Sequence, residues 1–146
     1  MSTTDTDSPA CPGFPTDLPP LVGGVVPHLS LSDAAAAIDF YTRAFGAQEL
    51  ARIPAQDGKR LIHAHLRVNG SSVMMADAFA ECGQGLVPPQ GFVLHLHVDD
   101  VEAWWQRAVA AGAEVVMPLQ DMFWGDRYGQ IRDPFGVTWS LASPTR

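Results

Sequence analysis

The chain has 146 residues, 47% of them hydrophobic, and carries 9 Lys plus Arg against 16 Asp plus Glu, a net charge of −7. That length suits one domain, or two half-domains sharing a core, and the acidic balance argues against nucleic acid, whose phosphates need clustered positive charge. No apolar run approaches the roughly 20 residues that span a bilayer, no basic amphipathic helix suggests a membrane surface, and the pattern of a secretory signal is not seen.

Cys11 and Cys82 form no metal or redox motif. Cys11 falls in an expected tail, so a disulfide framework is not expected and a reducing, cytoplasmic setting is. Residues 1–22 read as a flexible arm: they are rich in Ser, Thr, Asp and Pro, including Pro9, Pro12, Pro15, Pro19 and Pro20. Such a segment cannot bury enough apolar surface to offset its ordering entropy. The remainder, 23–146, reads as a single domain.

Within it, 25–31 is the first predicted strand. Ser32 or Asp33 can cap a helix over 33–45, in which Ile38, Tyr41 and Phe45 share one face. Gly46 ends that helix. Strands follow at 47–53, 61–68 and 72–77, joined by turns at Asp57-Gly58 and Asn69-Gly70. Residues 78–90, with Gly83, Gly85, Pro88 and Pro89, are a linker. The pattern then restarts. A strand over 92–98 leads through Asp99, as N-cap, into a helix over 100–111 with Val101, Trp105 and Ala108 inward. Strands at 114–119, 126–132 and 137–142 complete it, the last two joined by Asp133-Pro134-Phe135-Gly136.

The restart is a repeat. His28 matches His95, Leu29 matches Leu96, Leu31 matches Val98 and Asp33 matches Asp100, all 67 residues apart. Gly70 matches Gly136 at a spacing of 66. The chain is therefore two βαβββ modules, 24–77 and 91–143, a self-similarity that sets the fold class as α+β.

Three segments carry a resemblance: 28–46 (HLSLSDAAAAIDFYTRAFG), 63–77 (HAHLRVNGSSVMMAD) and 123–141 (FWGDRYGQIRDPFGVTWSL). Together they resemble the vicinal oxygen chelate superfamily of glyoxalases, bleomycin-resistance proteins and extradiol dioxygenases, in its PhnB-like branch. The resemblance implies a glyoxalase/bleomycin-resistance-like fold, in which the two modules form a curled mixed-sheet cup that holds the ligand. It also implies a homodimer. Enzymes of the superfamily commonly hold a divalent metal on the first, fourth, fifth and eighth strands. Those positions fall here on Val26, Met74, Val93 and Ser140, none a good ligand for a hard cation. No cofactor is therefore predicted, and a divalent metal on displaced histidines is the alternative.

Alternate residues of a strand share a face. If Val26 and Val93 face the cup, so do His28, Ser30, His95 and His97. Two residues further along a strand is about 7 Å, from a rise of ~3.3 Å per residue. These histidines are either a displaced metal site or acid–base pair, or a polar wall bonding backbone, water and ligand. His63 and His65 share a face of their strand, turned either to solvent or to the cup. Trp124, Arg127 and Tyr128 form a mouth suited to an oxygen-bearing small molecule, with an internal Arg–Asp pair and a dimer contact as the competing readings. Trp139, opposite in parity to Ser140, is expected on the helix-packed face, and Met74 on the cup face. No nucleophile elbow, phosphate-cradling loop or Cys–His signature occurs.

The sequence thus predicts a small-molecule-binding protein whose ligand set is His28, His95, His97, Trp124, Arg127 and Tyr128, with no catalytic residue assigned. The alternative is a metal-dependent lyase, isomerase or dioxygenase using displaced histidines. Neither nucleic acid nor membrane is an expected partner.

Overall fold

The computed structural model describes residues 18–145. The arm expected over 1–22 therefore lies mostly outside the described residues, as does Cys11. The element order is β1 (His28–Leu31), α1 (Ala34–Phe45), β2 (Gln48–Pro54), β3 (Leu61–Val68), β4 (Ser71–Asp77), β5 (Leu94–His97), α2 (Val101–Ala110), β6 (Glu114–Asp121), β7 (Asp126–Arg132) and β8 (Thr138–Pro144). This is βαβββ written twice. Strands β3 and β7 have the predicted bounds. β1 and β5 begin later than expected, so Val26 and Val93 precede the paired strands.

The chain separates into two compact units. The first comprises the residues up to Asp39 with Ala47–Val87. Its sheet has the order β1-β4-β3-β2, with β1 parallel to β4 and the other pairs antiparallel. One face is apolar: Leu29, Leu31, Ala64, Leu66, Val73 and Met75 are buried. Asp33 caps α1 by accepting the Ala36 N–H at 3.0 Å. A second carboxylate, the buried Asp77, accepts the N–H groups of Ala34 at 2.8 Å and Leu61 at 2.6 Å. The hairpins use the expected chemistry. Asn69 and Gly70 take φ of 50° and 83°, as a tight hairpin turn requires. Asp57 accepts the N–H groups of Arg60 and Lys59, which hold its carboxyl down at about 2. Between β4 and β5 the chain turns at Ala80–Cys82, and Cys82 is half of a disulfide. This departs from the expectation drawn from cysteine usage alone.

The second unit comprises Phe40–Gly46, the C-terminal half of α1, and Pro88 onward. Its sheet repeats the first, β5-β8-β7-β6, with β5 parallel to β8. Asp100, not Asp99, is the N-cap of α2, accepting the Ala103 N–H at 3.2 Å. It is also the residue that the repeat pairs with Asp33, so the two helices start on equivalent caps. Phe40, Tyr41 and Phe45 pack with Trp139, which is buried on the helix-packed face as its parity predicts; ring centroids lie 5.4 Å from Tyr41 and 4.9 Å from Phe45. Each such side chain contributes about 1.5–3 kcal/mol by burial.

Asp133 sits inside this aromatic core. Its carboxylate accepts from Tyr41 Oη at 2.5 Å, Trp139 Nε1 at 2.9 Å, Phe135 N at 2.9 Å and Val137 N at 3.0 Å. Burial and the Asp133 charge push the Tyr41 phenol well above its usual value. The Tyr of "AIDFY" and the Asp and Trp of "DPFG-x-x-W" therefore bond one another, and the signature is the fold's own fastening. Helix α1 ends against Arg107, which donates to the Arg43 and Thr42 carbonyls at 2.7 and 3.1 Å. Trp105 lies so close over Gly129 that a Cβ there would sit 2.6 Å from its ring. Among the described residues no helix is long and apolar enough to cross a membrane.

Candidate functional site

Strand pleating turns the other face of each sheet away from these cores. In the second unit, register sets His95 beside Ser140, and Ser140 beside Gln130. The next row is His97, Ala142 and Tyr128. Cross-strand neighbours lie only about 4.8 Å apart, so these side chains meet. His95 Nδ1 and Ser140 Oγ are 2.6 Å apart. The His95 ring stacks on Tyr128 at 6.1 Å and 17°, and lies 6.1 Å from the His97 ring. Gln130 Nε2 donates to the Tyr128 hydroxyl at 2.9 Å.

The proton positions follow. Ser140 is 2% exposed, and its hydroxyl makes one hydrogen bond among the described residues, to His95. Its hydrogen would be stranded unless it donates to Nδ1. His95 is then the Nε2–H tautomer. Burial, and secondarily His97, holds its pKa below the usual histidine value while Asp126 pulls the other way, so the ring is neutral at pH 7. Tyr128 accepts from Gln130 and keeps its own O–H to donate. The face therefore presents two donors, a neutral imidazole N–H and a phenol.

The turn into β7 extends this face. Trp124 packs edge-to-face on Tyr128 at 5.6 Å, and Phe123 on Trp124 at 5.1 Å. Arg127, of opposite parity, is on the helix side of the same sheet. It pairs with Glu102 at 2.5 Å and Asp121 at 3.1 Å, which raise its pKa further. There it borders a groove of about 450 Å³ whose walls include the carboxylates of Asp99, Asp100, Glu102 and Asp121. That groove lies off the histidine face, and its four carboxylates outnumber its one guanidinium.

The first unit has the same rows with other contents. Register aligns His28, Met74 and His65, and then Ser30 and Ala76. His28 and Ser30 are exposed, whereas His63 and His65 are buried, 4% and 1% exposed. Ser72 Oγ accepts the Val22 N–H at 2.8 Å and is hydrogen-bonded to His65 Nε2, 2.7 Å away. Burial lowers the pKa of both rings, with His28 and His65 adding to the effect on His63, and Arg67 to that on His65.

The structure thus gathers His95, His97, Tyr128 and Trp124 on one face of the second unit, holds Arg127 on the opposite face, and places His28 in the first unit. Gln130 and Asp126 were not singled out from sequence, and Ser140 was singled out only as the equivalent of a family metal position. Parity with Tyr128 points to Gln130 and Asp126. Ser140 is 45 residues from His95, so only strand register reveals their bond. The four family metal positions do not fit a divalent cation. Val26 and Val93 have no donor atom, Met74 offers a thioether, and the Ser140 hydroxyl is committed to His95.

Comparison with known proteins agrees with this architecture. The profile of the Glyoxalase/Bleomycin resistance protein/Dioxygenase superfamily matches residues 25–141. An uncharacterized protein of Mycobacterium bovis, Mb0911c, is 52% identical over 126 residues, covering 82% of each chain. Protein YjdN of Escherichia coli is 31% identical over 137 residues, covering 79% of this chain and 91% of its own. The crystal structure of TioX from Micromonospora sp. ML1 superposes with a TM-score of 0.64 at 30% identity, covering 85% of this chain and 98% of TioX. With both βαβββ units in place and 25–141 matched, the chain belongs to the glyoxalase/bleomycin resistance protein/dioxygenase superfamily.

Proposed function

We propose that this chain is a small-molecule-binding protein whose ligand contacts His95, His97, Tyr128 and Trp124 without help from a metal. The observation that carries this reading is the His95–Ser140 pair, 2.6 Å apart and 2% exposed at Ser140. Ser140 holds one of the positions that the family's metal ligands take, and it is spent on fixing an imidazole tautomer. A neutral N–H donor beside a free phenol O–H suits an oxygen acceptor on a ligand. No group on this face has the setting of a nucleophile, so binding rather than turnover is the proposed activity. Arg127, ion-paired on the opposite face, is left out of this ligand set. His28 is a separate candidate for ligand contact in the first unit.

The PhnB-like branch, a homodimer and a cytoplasmic setting complete the proposal. The signature segments support the first, and the exposed Val115 and Val116 on edge strand β6 support the second. The composition supports the third, and the half-cystine at Cys82 counts against it.

A mixed small-molecule library screened by protein NMR in excess EDTA tests the reading. At least one binder should shift His95, His97 and Tyr128 resonances and lose affinity in His95→Ala. Binding that appears only after a divalent metal is added, or that maps to the groove beside Arg127, would overturn it.

A further inference from the structure

Phe123 is 97% exposed and Trp124 50% exposed, side by side. Two large adjacent rings in water signal a contact surface. They are not on a loose loop. Met122 N donates to the Asp126 carbonyl at 2.8 Å and Gly125 N to the Met122 carbonyl at 3.1 Å. Gly125 has φ of 98°, a conformation that side chains disfavour. The Gly125 carbonyl accepts from both Thr145 N and Thr145 Oγ1 at 2.9 Å. The indole N–H is tied to Asp126 Oδ2 at 3.1 Å. The turn is therefore pre-ordered, so binding on it costs little conformational entropy.

The rings run on inward. Phe123, Trp124, Tyr128 and His95 form a continuous series with centroid separations of 5.1, 5.6 and 6.1 Å. It begins as bare aromatic surface and ends at the two donors. Both arginines of β7 are ion-paired, Arg127 with Glu102 and Asp121 and Arg132 with Glu114. The series thus offers ring faces and neutral donors, with carboxylate Asp126 alongside, which disfavours an anionic ligand.

We infer that the ligand is a planar, non-anionic aromatic compound bearing a carbonyl-type oxygen at one edge, stacked on the Trp124 ring with Phe123, perpendicular to that ring, against its edge, and its oxygen met by Tyr128 O–H and His95 Nε2–H. This deepens the binding function proposed above and rests on it. The ladder selects the body of the ligand by stacking, and the donors select its edge.

Acridone and 1-decalone, a fused aromatic ketone and an alicyclic one, are the probes. Acridone should bind and quench tryptophan fluorescence, and 1-decalone should bind at least about tenfold more weakly. Trp124→Ala should weaken acridone about tenfold and Tyr128→Phe several-fold, with circular dichroism and Tm unchanged. Equal binding of the two ketones, each weakened by His95→Ala, would overturn the aromatic class while sparing the proposed function. Acridone affinity indifferent to Trp124→Ala, or no acridone binding at 1 mM, would also overturn the inference. So would a Trp124→Ala variant whose only change is dissociation of a dimer in sedimentation, since the ladder would then be a contact between copies.

Discussion

The two units share a plan and differ in what they do with one face of the sheet. The rows are the same: His28, Met74, His65 in the first, and His95, Ser140, Gln130 in the second. In the first, the β3 histidines are buried and Ser72 is tied to Val22. In the second, the β7 positions carry Gln130 and Tyr128, His95 and His97 stay exposed, and an aromatic turn is added. A duplicated fold therefore need not hold two equivalent sites. Burial has turned one face into support, while the other keeps exposed donors, the face for which binding is proposed. The difference between Met74 and Ser140 is central, because only a hydroxyl can fix the imidazole beside it.

The largest expected effect is on the second unit's fastening. Asp133→Ala strands the Tyr41 hydroxyl, the Trp139 indole and two backbone N–H groups, and should cost roughly 3 kcal/mol or more by chemical denaturation. Asp77→Ala, which strands two backbone N–H groups in the first unit, should cost less. Next comes Gly129→Ala, whose Cβ would meet Trp105 at 2.6 Å; a loss of about 1–3 kcal/mol is expected from overpacking.

Acid should separate the histidines. His63 and His65 are harder to protonate folded than unfolded. Their contribution to stability is complete above the ordinary value near 6.5 and is lost as pH falls through the lower folded-state values. Tm measured from pH 7.5 to 5 should fall, and His63→Gln with His65→Gln should flatten that fall more than His95→Gln does. The smallest stability effect is expected for Trp124→Ala, within about 0.5 kcal/mol of the parent, as befits an exposed residue away from the core. A large loss there would make the aromatic turn part of the fold rather than of the site.

The fold was legible because its signals are local or periodic. The 67-residue echo from His28 to His95, the Asp33 cap and the Asn69-Gly70 turn each survive translation into coordinates, while the α2 cap falls one residue later than expected, at Asp100. The β1 and β5 starts were less legible, since Val25, Val26 and Val93 look like strand residues but have no ladder partner in the sheet. The site was half legible. Alternation placed His95 and His97 on one face, and residue types pointed to Trp124 and Tyr128. Arg127 read as part of the same mouth because its neighbours do, yet strand parity sends it to α2, where Glu102 neutralises it. The His95–Ser140 bond and the burial of His63 and His65 depend on register and depth, which one strand's sequence does not specify.

The central claim is that the second unit's histidine face, metal-free, is where ligand binds. Chemical-shift mapping of the labelled protein with acridone in excess EDTA tests it most directly. The account predicts shifts at the Trp124 indole, Tyr128, His95 and His97, lost in His95→Ala. Shifts centred on His63 and His65 with the Trp124 and His95 signals unmoved would contradict it.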